Sequence, residues 1–184
     1  MRHRRIQLAA VVAVVAIASA ATVAVAGGGK QIREKLTGDE EVPVVLTGAE
    51  GTFKATISGD QVDYELSYED LEGTITQAHI HVGQRLVNGG IAVWLCGTST
   101  NPGPAGTPVC PPSPGTVTDS FTAADVIGPA GQGIAPGEFD ELVDAIRDGF
   151  TYANVHSSLA PGGEIRGQLN DDRGNGRGND RDFD

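Results

Sequence analysis

Three histidines, His79, His81 and His156, carry the most specific chemistry in the sequence past residue 26. Two sit at i and i+2 in Gln77-Ala78-His79-Ile80-His81-Val82, and the third ends Tyr152-Ala153-Asn154-Val155-His156; both segments read as strands. Side chains at i and i+2 of a strand share a face and stand about 7 Å apart along it. His79 and His81 therefore project together, while Ala78, Ile80 and Val82 turn to the core. Two imidazoles at that separation reach one ion at the ~2.0–2.1 Å of a metal–nitrogen bond, and His156 on a second strand completes a three-nitrogen set. Imidazole donors suit copper or zinc and do not choose between them. The plainer expectation is a group of polar rings on a solvated face, hydrogen-bonded to carbonyls or carboxylates.

A second polar row follows in Gly163-Glu164-Ile165-Arg166-Gly167-Gln168-Leu169. Strand alternation puts Glu164, Arg166 and Gln168 on one side and Ile165 and Leu169 on the other. Glu164 and Arg166 are expected either as a surface ion pair or as groups that orient a histidine or an anionic ligand. Other catalytic patterns fail. Ser157 and Ser158 lack a Gly-x-Ser-x-Gly elbow, and Gly27-Gly28-Gly29-Lys30 lacks the spacing of a phosphate loop. The acidic run Asp39-Glu40-Glu41 is expected as a charged guard on an edge strand.

The elements that must position these groups are short strands. Residues 51–57 and 62–68 alternate apolar and polar side chains around Ser58-Gly59-Asp60-Gln61, the pattern of an antiparallel hairpin. Further strands are expected at 36–42, 74–82, 91–96, 116–121, 151–156 and 164–169. Eight such strands joined by glycine-rich turns point to a β-sandwich or barrel. One helix is expected from about Pro136 to Asp148, because Phe139, Leu142, Val143 and Ile146 recur on one helical face.

Composition limits the partners. The 184 residues carry 13 Lys and Arg against 24 Asp and Glu, a net charge of −11. Nucleic acid is not an expected partner. Residues 1–26 place Arg2, Arg4 and Arg5 ahead of an uncharged apolar run ending in Ala24-Val25-Ala26, the layout of a secretory signal; an uncleaved membrane anchor is the alternative. Cleavage there leaves 10 basic and 24 acidic side chains, a charge of −14, with no membrane segment. Residues 27–35 read as a linker and 170–184, rich in Asn, Asp, Arg and Gly, as a disordered tail. Cys96 and Cys110 are the only cysteines and flank a Gly/Pro/Ser/Thr-rich loop; in an exported chain they are expected to form a disulfide, a zinc pair being the weaker option.

Three segments together resemble the chordin-type (CHRD) domain: Leu36-Thr37-Gly38-Asp39-Glu40-Glu41-Val42-Pro43; Ala78-His79-Ile80-His81-Val82-Gly83 with Asn88-Gly89-Gly90; and Tyr152-Ala153-Asn154-Val155-His156 with Pro161 to Leu169. The likeness spans 36–169 and implies a secreted protein of the bacterial kind, with extracellular binding of a protein, glycan or surface component as its function. The family also includes the animal chordins that bind growth factors. The segment from His79 to Gly83 more distantly resembles the copper-ligand strand of copper–zinc superoxide dismutase. On that likeness His79, His81 and His156 match three copper ligands and Arg166 an anion-guiding arginine, but no bridging histidine or zinc cluster is left over. The fold implied is all-β: a Greek-key β-sandwich of about eight antiparallel strands, superoxide-dismutase-like or immunoglobulin-like, with one short helix.

Overall fold

The structure, a computed structural model, describes residues 30–170. The signal reading of 1–26 and nearly all of the tail reading lie outside the described residues. Eight strands run in chain order: β1 Lys30–Thr37, β2 Glu50–Ser58, β3 Gln61–Glu69, β4 Ile75–Val82, β5 Gly90–Gly97, β6 Gly115–Thr122, β7 Thr151–Ser157 and β8 Ile165–Leu169. Among the described residues a single α-helix, α1 Phe139–Arg147, precedes β7. It is shorter at its start than the periodicity predicts because Gly137, with φ 88°, lies outside the helical region. Its apolar face buries Phe139, Leu142, Val143 and Ile146 as expected.

The pairings between these strands are antiparallel, in the order β5-β4-β7-β8-β1-β2-β3-β6. The chain leaves β3 and crosses over, so that β3 pairs with β6 while β4 pairs with β5 and β7: a Greek key. Two four-stranded halves meet where β8 and β1 share the single pair Thr37↔Arg166. Between them lies one core that includes Phe53, Leu66, Phe121, Ile80, Val155 and Ile165. The Tyr64 hydroxyl ties the halves on the far side by donating 2.7 Å to the Leu95 carbonyl.

The first strand starts earlier than the alternation suggests, within the stretch read as linker. Ile32 and Leu36 are buried, but Glu34 takes the position between them and breaks the apolar series. The strand ends at Thr37, where a 3-10 turn at Gly38–Glu40 leads the acidic run out of the sheet. Glu41 is buried beside Asn154, so the run does not guard an edge as expected.

Cys96 and Cys110 form a disulfide, which removes the zinc-pair option. The bridge closes the loop that leaves β5, where Gly97 and Cys110 also exchange backbone bonds with Pro108 and Gly97. Cross-linking across a sequence separation of 14 restricts the unfolded chain by about 3 kcal/mol in the loop-entropy model. The double variant Cys96→Ser/Cys110→Ser is expected to lose about that much in equilibrium denaturation. A loss below about 0.5 kcal/mol would show that the loop is constrained in the unfolded chain by other means.

Candidate metal centre

The histidines stand on adjacent strands because β4 pairs with β7. The register sets His79 opposite Asn154, His81 opposite Tyr152 and Gln77 opposite His156. Thus His156 lies one step diagonally from His79, within reach of a ring. On the other flank of β4, His79 faces Trp94 of β5. The β4–β5 ladder shifts register between Ala78 and His79 and again between Ile80 and His81, the kind of irregularity that re-aims side chains. Ala78, Ile80 and Val82 enter the core, as the alternation predicts.

The three rings converge. His79 and His81 lie 5.3 Å apart by ring centroid, His79 and His156 5.0 Å, and His81 and His156 6.0 Å. One nitrogen from each ring falls within 4.8 Å of the other two. The expectation of a solvated face is not met: His79 is 0% exposed, His81 8% and His156 6%. Burial pushes all three rings below the ordinary histidine pKa, with His81 down to about 4. For His79 and His81 the neighbouring histidines add to the effect. Neutral rings present lone pairs, as a metal ligand requires.

Hydrogen bonds fix which nitrogens face inward. His81 Nδ1 is 3.0 Å from the Gly89 carbonyl and His156 Nδ1 is 3.0 Å from the Pro161 carbonyl. A carbonyl only accepts, so both Nδ1 atoms carry the proton and both Nε2 atoms carry the lone pair. His156 Nε2 stands 3.1 Å from His79 Nδ1. Nitrogens bound to one ion at ~2.0–2.1 Å lie about 3.3–3.6 Å apart at tetrahedral to trigonal angles, so this pair is near bonding separation. His79 Nε2 and His81 Nε2 are buried without a hydrogen-bond partner. The orphaned His81 Nε2 is a costly arrangement that a ligand bound there relieves.

An aromatic and cationic stack backs His81. The Tyr152 ring lies parallel to it, 4.9 Å away with 5° between planes, and the Arg166 guanidinium covers the other side of Tyr152 at 3.4 Å. Gly89 locks the pair: its N–H donates to the Tyr152 hydroxyl at 3.1 Å and its carbonyl holds His81. Arg166 also donates to the carbonyls of Gln84 and Val87, and Gln168 donates to that of Gly83, so β8 pins the 83–89 loop over the site.

Glu164 and Arg166 do not pair with one another. Both are 1% exposed, so the surface ion pair is not what forms. Arg166 reaches His81 through Tyr152. Glu164 goes elsewhere, its Oε1 accepting from Thr47 Oγ1 at 3.0 Å and from the Glu72 N–H at 2.7 Å. The sequence reading missed Trp94, Tyr152, Glu41 and Gly89. Only Tyr152 left a usable sign, sharing strand parity with Asn154 and His156.

The family model for the CHRD domain matches residues 32–169. The chain belongs to the CHRD family. No curated protein and no solved structure matches it. The CHRD match takes in every residue of the site described above, from Glu41 to Gln168, and begins inside β1, in agreement with the early start of that strand.

Within the CHRD domain Glu41 has a titration of its own. Burial raises its pKa to about 7, against the opposing pull of the Asn154 hydrogen bond and of the Arg166 charge. A carboxyl whose folded pKa exceeds its unfolded value stabilises the fold below about pH 4.5, and that contribution is lost as pH rises through about 7. The histidines, with depressed folded pKa values, act with the opposite sign, their contribution being lost as pH falls. Comparison with Glu41→Gln isolates the carboxyl. From pH 5 to pH 8, wild type should lose up to about 3 kcal/mol relative to the variant, read from denaturant midpoints at each pH. Parallel pH profiles would place the Glu41 carboxylate in a better-solvated setting than its burial implies.

Proposed function

We propose that this CHRD domain is an exported metal-binding protein that holds one copper or zinc ion through His79, His81 and His156. The observation that carries the reading is the convergence of three neutral, buried imidazoles, with the Nε2 of His81 lacking any partner. His81 and His156 offer Nε2, since their Nδ1 protons are committed to carbonyls, and His79 offers Nδ1 beside His156 Nε2 once the proton it shares there moves to its own Nε2. The bound ion supplies Lewis acidity or, if copper, one-electron chemistry. The chain supplies ligand orientation, through Gly89, Pro161, Tyr152 and Arg166, and shelter from water.

The basic start and the apolar run of residues 1–26 support the export part of this reading. Binding of an extracellular protein, glycan or surface component is the second reading. It draws on the exposed apolar tips Leu46, at 89%, and Leu86, at 70%. Both tips belong to the segments linked when Asn88 donates to the Val42 carbonyl, so such binding would occur above the metal centre.

Trp94, the only tryptophan in the sequence, reports on the site because its ring is 4.2 Å from that of His79. Titration with copper should change Trp94 emission with an end point of one ion per chain, and His81→Ala should abolish the saturable change. Emission that drifts without an end point, equally in both proteins, would contradict coordination at this cluster.

A further inference from the structure

Resting on the coordination reading above, we infer that the site selects monovalent copper over divalent zinc. Three features of the chain lead there. First, the group of His, Cys, Asp and Glu donors that meets at this point, among the described residues, comprises the three histidines. The two buried carboxylates nearby are turned to other partners: Glu41 accepts from Asn154, and Glu164 Oε1 accepts from Thr47 and the Glu72 N–H. Zinc in proteins takes four ligands, with either a fourth side chain or a water in an open position. Here the ligands are almost fully buried, which leaves little passage for a permanent water.

Second, the ligand set carries no negative charge. A dication held by three neutral rings keeps its full double charge in a desolvated place, and the cost of burying charge rises steeply with its magnitude. A monocation held by the same rings keeps only one. Third, a fixed positive charge stands behind His81. The Arg166 guanidinium lies over Tyr152, which stacks on His81, and Arg166 is itself buried. Its hydrogen bonds run to Gln84, Val87, Asn88 and Gln168, acceptors that are all uncharged. A buried cation two rings away opposes a second positive charge more strongly than a first.

Geometry agrees. The three donor atoms fall within 4.8 Å of one another, against the ~3.5 Å spacing of a three-coordinate ion with 2.0 Å bonds, so modest ring rotation closes them around a trigonal centre. Trp94 and Tyr152 flank His79 and His81 as aromatic walls that add no charge to the site.

The test uses purified wild-type chain with an intact disulfide, verified by the absence of titratable thiol. Anaerobically, Cu(I) supplied as its acetonitrile complex is competed against a chromogenic Cu(I) chelator, and Zn(II) against a chromogenic zinc indicator. The expected result is one Cu(I) per chain, lost in His79→Ala and in His156→Ala, with Zn(II) bound at least about 100-fold more weakly than Cu(I). In Arg166→Met, folded by circular dichroism, the gap should narrow through tighter Zn(II) binding. Zn(II) held as tightly as Cu(I) would overturn the selectivity while leaving the coordination reading intact. Binding of neither ion would overturn both.

Discussion

Replacing His79 by alanine should lower the affinity for the bound ion by more than about 100-fold, beyond the range seen when a residue that only orients a ligand is lost. The ring occupies the middle of the cluster, 5.3 Å from His81 and 5.0 Å from His156, and its Nδ1 is the atom nearest His156 Nε2. Without it two imidazoles remain on opposite sides of the gap. Wild type should also gain thermal stability on metal addition, by an amount that grows with free ion concentration, because the folded chain alone presents the site. The His79→Ala chain should show no such gain, while its circular dichroism stays that of wild type. An equal gain in both would mean that the stabilising ion binds elsewhere.

The second large effect is expected at a residue that touches no metal. A Cβ on Gly89 would fall 1.6 Å from the Val82 carbonyl oxygen, a backbone atom with nowhere to go. Gly89→Ala must therefore move the 83–89 loop, and with it the N–H that holds Tyr152 and the carbonyl that holds His81. A destabilisation of about 1–3 kcal/mol is expected from the overpacking, together with a loss of metal affinity of about 10–100-fold from misorientation of His81. Gly131→Ala is the matched control, since a Cβ there meets nothing within 4 Å; it should stay within about 0.5 kcal/mol of wild type and bind metal normally. Equal behaviour of the two variants would remove Gly89 from the positioning scheme.

Strand alternation made most of the fold legible. The 50–58 and 61–69 hairpin bury one side chain in two, so their pattern survives in the sequence. β7 is buried on both faces, with polar residues on one of them, and its alternation therefore says nothing about exposure. That is why Arg166 and the histidines, expected near solvent, are found covered: the cover comes from the 38–49 and 83–89 segments, whose docking depends on long-range contacts such as Asn88 to Val42. The pairing of His79 and His81 with His156 was readable as strand parity plus the assumption that the two strands are neighbours, which the Greek key supplies. Trp94 and Glu41 were not readable, because each meets the site across a strand pairing or loop that no local pattern specifies. β1 was misplaced because Glu34 interrupts its inward row.

The most direct test of the account is the metal content of the purified chain, measured by elemental analysis beside the variant His79→Ala/His81→Ala/His156→Ala prepared identically. The account predicts close to one copper or zinc ion per wild-type chain and none above background in the variant. Trace metal at the same level in both would contradict it.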